Sequence, residues 1–166
     1  MSAARKIKAE HPFMDRELVL SFANGVVDVL KMMAQVDANF EKPFAAVNWK
    51  SPTELSVHLA LNSDPYKGKI VFHFDKTVAQ SIIEQMTGSE VSPSLEEILD
   101  GVGEISNMFY GAAKTKLNMV GFQLAMTLPV PVLTKNLPVY VTDTTSMVIP
   151  FRILEKLCYV EIIIVN

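Results

Sequence analysis

Cysteine is almost missing from this chain. Cys158 is the only one in 166 residues, so no intrachain disulfide can form and folding rests on packing. It sits in an apolar run, where a buried, inert thiol is expected. Histidine is scarce too: His11, His58 and His73 are far apart and lack metal-ligand spacing with Cys158, so no metal site is expected. There is no glycine-rich phosphate loop and no Ser/His/Asp set with a nucleophile elbow. There is no excess of basic charge: the net charge is -3, which argues against a nucleic-acid partner that would require a basic patch. No unbroken apolar stretch reaches the ~18–20 residues that cross a bilayer, so no membrane span is expected. The polar, basic start from Met1 to Glu10 lacks the apolar centre of a secretory signal. A reducing cytoplasm is the expected compartment, with proteins or small molecules as partners.

What the chain does hold is apolar material, 49% of its residues. At this length that suits one domain able to bury roughly two-thirds of its unfolded surface. The expected unit is 1–166, with residues 1–12 flexible. Asp15 is placed to cap a first helix reaching about Val36, because Val19, Phe22, Val26, Val29, Leu30 and Met33 recur at helical spacing. Met32 and Met33 read as core. Strands follow over residues 44–50, 53–61 and 68–74, the second marked by Leu55, Val57, Leu59 and Leu61 alternating with polar or small residues. Asn62-Ser63-Asp64-Pro65 reads as the turn between the last two. Asp75 caps a second helix ending at Thr87 before Gly88. Ser94 with Glu97 forms a capping-box signature for a third, long helix ending near Leu117. Residues 119–128 read as a strand, 128–138 with three prolines as loop or edge, and 146–154 with 156–165 as a closing hairpin. The fold class is α/β of the α+β kind: a mostly antiparallel sheet with two long helices packed on one face plus an N-terminal helix.

The third helix carries the most information. At ~100° per residue, Ile98, Val102, Ile105, Phe109 and Ala112 share a band about 80° wide, the expected core stripe. Asp100, Glu104, Asn107 and Lys114 share a band roughly opposite. Asp100 and Glu104 are i,i+4 and Glu104 and Asn107 are i,i+3, so they are neighbours on adjacent turns. Gly103 and Gly111 fall near that outward side. A mid-helix glycine is unfavourable by about 1 kcal/mol relative to alanine, and close approach of another surface is one compensation for it.

This stretch, Leu95 to Gly111, resembles the signature helix of the CheC/CheX chemotaxis phosphatases. The family pattern is Asp or Ser, three residues, Glu, two residues, Asn, then 21 or 22 residues to a proline. Asp100, Glu104 and Asn107 match it, and 21 residues separate Asn107 from Pro129. The segment Gly68 to Asp75, and the helix end Met86-Thr87-Gly88, are also similar to the family. CheC-type members carry the motif twice. Glu17 and Asn24 in the first helix are seven apart and do not match, which leaves the single-site CheX pattern.

The resemblance implies a CheC-like fold and a hydrolase acting on the aspartyl phosphate of a CheY-like response-regulator receiver. It implies catalytic roles for Asn107, which orients the attacking water, and Glu104, which docks on the receiver's lysine. Asp100, Gly103, Gly111 and Pro129 would face the partner, with Asp100 equally suited to compensating the helix N-terminus. It implies no cofactor of the chain's own, Mg²⁺ carried by the receiver, and a homodimer joined through sheet edges or strands near the C-terminal part. The alternative is a non-catalytic receiver-binding module like the flagellar switch proteins.

Overall fold

The computed structural model describes residues 12–137 and 144–164. The expectations for residues 1–11, and for Pro138 and Val165, lie outside them. Asp15 caps the first helix, α1 (Arg16–Ala34), by accepting from the Glu17 N–H at 2.8 Å. Short strands β1 (Ala38–Phe40) and β2 (Phe44–Val47) follow, then the hairpin of β3 (Leu55–Ser63) and β4 (Tyr66–Phe74). That hairpin turns at Asp64-Pro65 with Ser63 opposite Tyr66, inside the predicted turn. Asp75 then caps α2 (Lys76–Thr87), its carboxylate accepting from the Thr77 and Val78 N–H groups, and Gly88 ends the helix at φ 64°. The long helix α3 spans Leu95–Met119. Strand β5 (Val130–Leu133) and the hairpin of β6 (Thr145–Ile153) and β7 (Lys156–Ile164) complete the chain.

The seven strands form one sheet ordered β1-β6-β7-β4-β3-β5, with β2 also paired to β6. Every pairing is antiparallel, so the architecture is α+β as expected. β7 lies inside the sheet between β6 and β4, which hides the apolar run around Cys158 from an open edge. β5 is an edge strand, the place where its proline, Pro131, is tolerated.

Alternation along the strands separates two faces. Leu55, Val57, Leu59, Leu61, Ile70, Phe72, Phe74, Phe151, Val160 and Ile162 point to the helices and share one core with Phe22, Ile82, Val102 and Phe109. All three helices pack on that face. The opposite face is also buried in its middle, with Ser56, Val71, His73, Val148 and Glu161 beneath the chain around Trp49.

Two expectations fail. Residues 119–128 are not a strand. Their polar groups bond irregularly instead: Gln123 N–H donates to Ser63 Oγ at 3.0 Å, Leu124 N–H to Asn118 Oδ1 at 3.0 Å, and Thr127 Oγ1 accepts from the Ala60 N–H at 3.2 Å. These bonds hold the segment beside β3 without a ladder. Met32 and Met33 are not core, being 76% and 41% exposed. An added Cβ on Gly25 would face Ala112, and Asp28 pairs with Lys116, so α1 and α3 run alongside in the same direction. α3 ends at Met119, and the last turn of α1 overruns the surface that would have covered these methionines.

Candidate functional site

α3 is built to be stiff. Ser94 Oγ accepts from the Glu97 N–H at 3.2 Å, and Glu97 Oε2 accepts in return from the Ser94 N–H at 3.3 Å. Glu96 and Glu97 in the first turn meet the positive end of the helix dipole. Along its 25 residues the helix buries Ile98, Val102, Ile105, Phe109, Ala113 and Leu117. Phe109 stacks on Phe74 with ring centroids 6.3 Å apart, and it leans on Phe72 at 5.2 Å.

Both flanks are fixed as well. On one side lie α1 and α2: an added Cβ on Gly25 of α1 would sit 3.3 Å from the Phe109 carbonyl, and one on Gly101 would collide with Ile83 of α2. On the other side lies the segment leading into β5. Tyr110 donates its hydroxyl to the Ala125 carbonyl at 2.6 Å, and burial pushes its pKa up to about 12. The buried arc is therefore wider than the predicted stripe and takes in Gly103, Ser106 and Tyr110.

Gly103 accordingly does not lie on the outward surface. It is buried beneath β5, where an added Cβ would touch Pro131 at 3.4 Å. The compensation for this glycine is close packing of the helix on its own sheet edge. Gly111 is exposed with open space around its Cα. Pro129 is half-buried at the entry to β5. Ala112, expected in the core stripe, is also only half-buried.

What remains outward is a narrow stripe: Asp100, Glu104, Asn107, Met108 and Gly111, all exposed. Glu104 and Asn107 sit on adjacent turns of a helix held on three sides. Among the described residues neither side chain makes a hydrogen bond or an ion pair, so both polar heads stand ready for an outside partner. Lys116, in contrast, is taken by Asp28 of α1 at 3.3 Å. Exposed apolar side chains follow the stripe on its β5 side: Met126 and Leu128 are 83% and 84% exposed. Periodicity does not reveal these residues, because 119–128 is expected to be a strand. Met108 was overlooked for a different reason, falling at the border of the predicted polar band. Among the described residues no three His, Cys, Asp or Glu side chains group to hold a metal ion, and no helix is long and apolar enough to cross a membrane.

Comparison with known proteins bears on this stripe. The chain matches the family described as chemotaxis phosphatase CheX over residues 56–152, more than half its length, including all of α3. It is similar to a CheC-like superfamily protein from Shewanella sp. PV-4, with 26% identity, 92% of this chain and 99% of that one covered, and a TM-score of 0.79. It is similar to the chemotaxis protein CheX from Vibrio vulnificus, with 28% identity, 88% and 97% covered, and a TM-score of 0.76. A CheX from Borrelia burgdorferi, solved in complex with CheY, BeF3 and Mg²⁺, shares the fold at 20% identity, with 89% and 96% covered and a TM-score of 0.70. No curated protein matches the chain.

Proposed function

The chain belongs to the CheX family of chemotaxis phosphatases, and from that premise we propose that it hydrolyses the aspartyl phosphate of a CheY-like receiver domain. The observation that carries this reading is the pair Glu104 and Asn107, exposed and unpartnered on adjacent turns of a braced helix. The Borrelia relative, bound to CheY with BeF3 and Mg²⁺, supports a phosphorylated receiver as partner.

The chemistry suits so sparse a site. A receiver brings the acyl phosphate and the Mg²⁺ that neutralises charge on the departing phosphoryl group. What this chain adds is an ordered water. The Asn107 amide oxygen accepts a hydrogen bond from that water, and its NH₂ donates nearby. Water attacks phosphorus, the bond from phosphorus to the aspartyl oxygen breaks, and inorganic phosphate leaves a free carboxylate. Holding the water in line supplies the positioning term of the barrier. Glu104 offers a carboxylate to the receiver's active-site lysine, which sets the helix in register. Asp100 and Gly111 border the same contact, and Pro129 stands at its β5 side. The reaction takes place in the cytoplasm.

The experiment is direct: phosphorylate candidate receivers and follow phosphate release with and without the protein. Faster release supports the proposal. If the protein binds receivers but none loses phosphate faster, the chain is an interaction module of the flagellar-switch kind. We further propose that the protein is a homodimer paired through open sheet edges, of which β5 is one. Light scattering reading a clean monomer near 18.4 kDa would reject that.

A further inference from the structure

A second site lies on the sheet face turned away from the helices. There a cavity of about 950 Å³ opens between the sheet and the chain carrying Trp49 and Thr134. Its floor holds His73, Glu161 and Ser146, which are 3%, 6% and 2% exposed. The Trp49 ring stands edge-on to His73, centroids 5.5 Å apart, and to Tyr159 at 5.0 Å, closing one wall. Lys50, Lys76 and Lys135 are exposed along the rim.

The floor is left unsatisfied by the protein itself. His73 Nδ1 lies 2.7 Å from Ser56 Oγ, which lies 2.7 Å from Thr134 Oγ1. His73 Nε2 is buried with no hydrogen-bond partner. The nearest acid, Glu161 Oε1, is 3.9 Å away, beyond hydrogen-bond reach. Among the described residues no lysine or arginine comes within ion-pair distance of Glu161. A buried imidazole nitrogen without a hydrogen-bond partner, beside an acid at the floor of a cavity, calls for an explanation.

The set resembles a Ser/His/acid triad in composition but not in geometry. Ser56 is fully buried and its oxygen is shared with Thr134, so no substrate reaches it. The acid is also too far from the imidazole to orient it. A binding role fits better. In the tautomer that donates its Nδ1 proton to Ser56, Nε2 presents a lone pair, and it lies beside the Glu161 carboxylate. Two adjacent acceptors require a donor between them. An ammonium group has three donors and no acceptor, and the lysines at the rim favour an anionic opposite end.

We propose that this cavity binds a small dipolar amine, its ammonium seated between His73 Nε2 and Glu161 and its anionic end turned to the rim lysines. Trp49 is the chain's only tryptophan and lines the cavity, so its fluorescence reports occupancy. Three probes share a phenyl ring and differ in charge: L-phenylalanine, phenethylamine and 3-phenylpropionate. L-Phenylalanine and phenethylamine should change Trp49 emission saturably at millimolar concentration, and 3-phenylpropionate should not. Glu161→Gln should weaken both amines about tenfold or more, the loss expected for a charge-assisted bond to a buried acid. Lys135→Ala should weaken L-phenylalanine and leave phenethylamine unchanged. The proposal is overturned if neither amine gives a saturable response, if 3-phenylpropionate binds as tightly as phenethylamine, or if a folded Glu161→Gln binds amines like the parent. The last two of those outcomes would leave a bridging water as the occupant of the gap. The three-probe comparison on the unaltered protein decides the matter even if the variant does not fold.

Discussion

Asn107→Ala separates a catalytic role from a structural one, because the structure sets opposite expectations for the two. The side chain is exposed at mid-helix and makes no hydrogen bond among the described residues. Truncation therefore leaves no cavity and no orphaned partner, and surface changes of this kind stay within about 0.5 kcal/mol. Alanine is the better helix former by up to about 0.7 kcal/mol. At roughly 2–4 °C per kcal/mol for a domain of this size, the melting temperature should hold or rise by about 1–2 °C. Activity should move the other way. Removing one group that orients the reacting atoms lowers a rate by roughly 10²-fold or more, about 3 kcal/mol of barrier. The assay is single-turnover phosphate release from a phosphorylated receiver at saturating protein, alongside calorimetry. Receiver affinity should change little, since docking is assigned to Glu104. An unchanged release rate in a folded variant would refute the assignment of Asn107. A drop of many degrees in melting temperature would refute the view of this face as free of structural duty.

Four further outcomes follow from single sites. Gly111→Ala should stabilise the fold by about 1 kcal/mol, since the added methyl meets open space; titration calorimetry should show weaker receiver binding if that clearance serves docking, and unchanged binding would remove Gly111 from the contact. Gly68→Ala should destabilise by about 2 kcal/mol or more, because its Cβ would fall 2.5 Å from the Ile163 carbonyl in the neighbouring strand, as urea unfolding would show. Burial pushes the Cys158 thiol up to about 12, so a thiol reagent near neutral pH should modify it only after unfolding; rapid reaction of the native protein would contradict its place in the core. Burial, followed by the charge of Lys69, lowers the His58 pKa below 6.5, so the unfolded chain binds more protons than the folded one as pH falls through 6.5. Stability should decline there, and His58→Gln should flatten that part of a melting-temperature profile against pH.

The parts of this fold that were legible in the sequence are those where a local signal and the packing agree. Asp15, Asp75 and Ser94 cap helices because a short oxygen-bearing side chain satisfies donors two or three residues on, and that chemistry needs no tertiary information. The alternation at Leu55 to Leu61 survives because one sheet face meets helices along its whole length. Legibility fails where burial comes from residues distant in the chain. Met33 keeps helical spacing with the core, but its exposure is decided by where α3 stops, 86 positions later. Gly103 has the wheel position of a surface residue and is buried only because β5 folds back with Pro131 over it. Ser56, His73 and Glu161 lie on three strands and meet only through the register that sets Ser56 opposite His73 and His73 opposite Tyr159. The stripe on α3 falls between these cases. Periodicity locates it, yet a solvated helix face looks the same, and only the match of Asp100, Glu104 and Asn107 to the CheC/CheX pattern singles it out. The structure narrows the choice by physical means. It braces the helix that carries Asn107 with Phe109, Tyr110 and the capping box while leaving the side chains of Glu104 and Asn107 without partners among the described residues. A side chain held stiffly and left unsatisfied is placed to act on a surface that arrives from outside, as the proposed reaction requires.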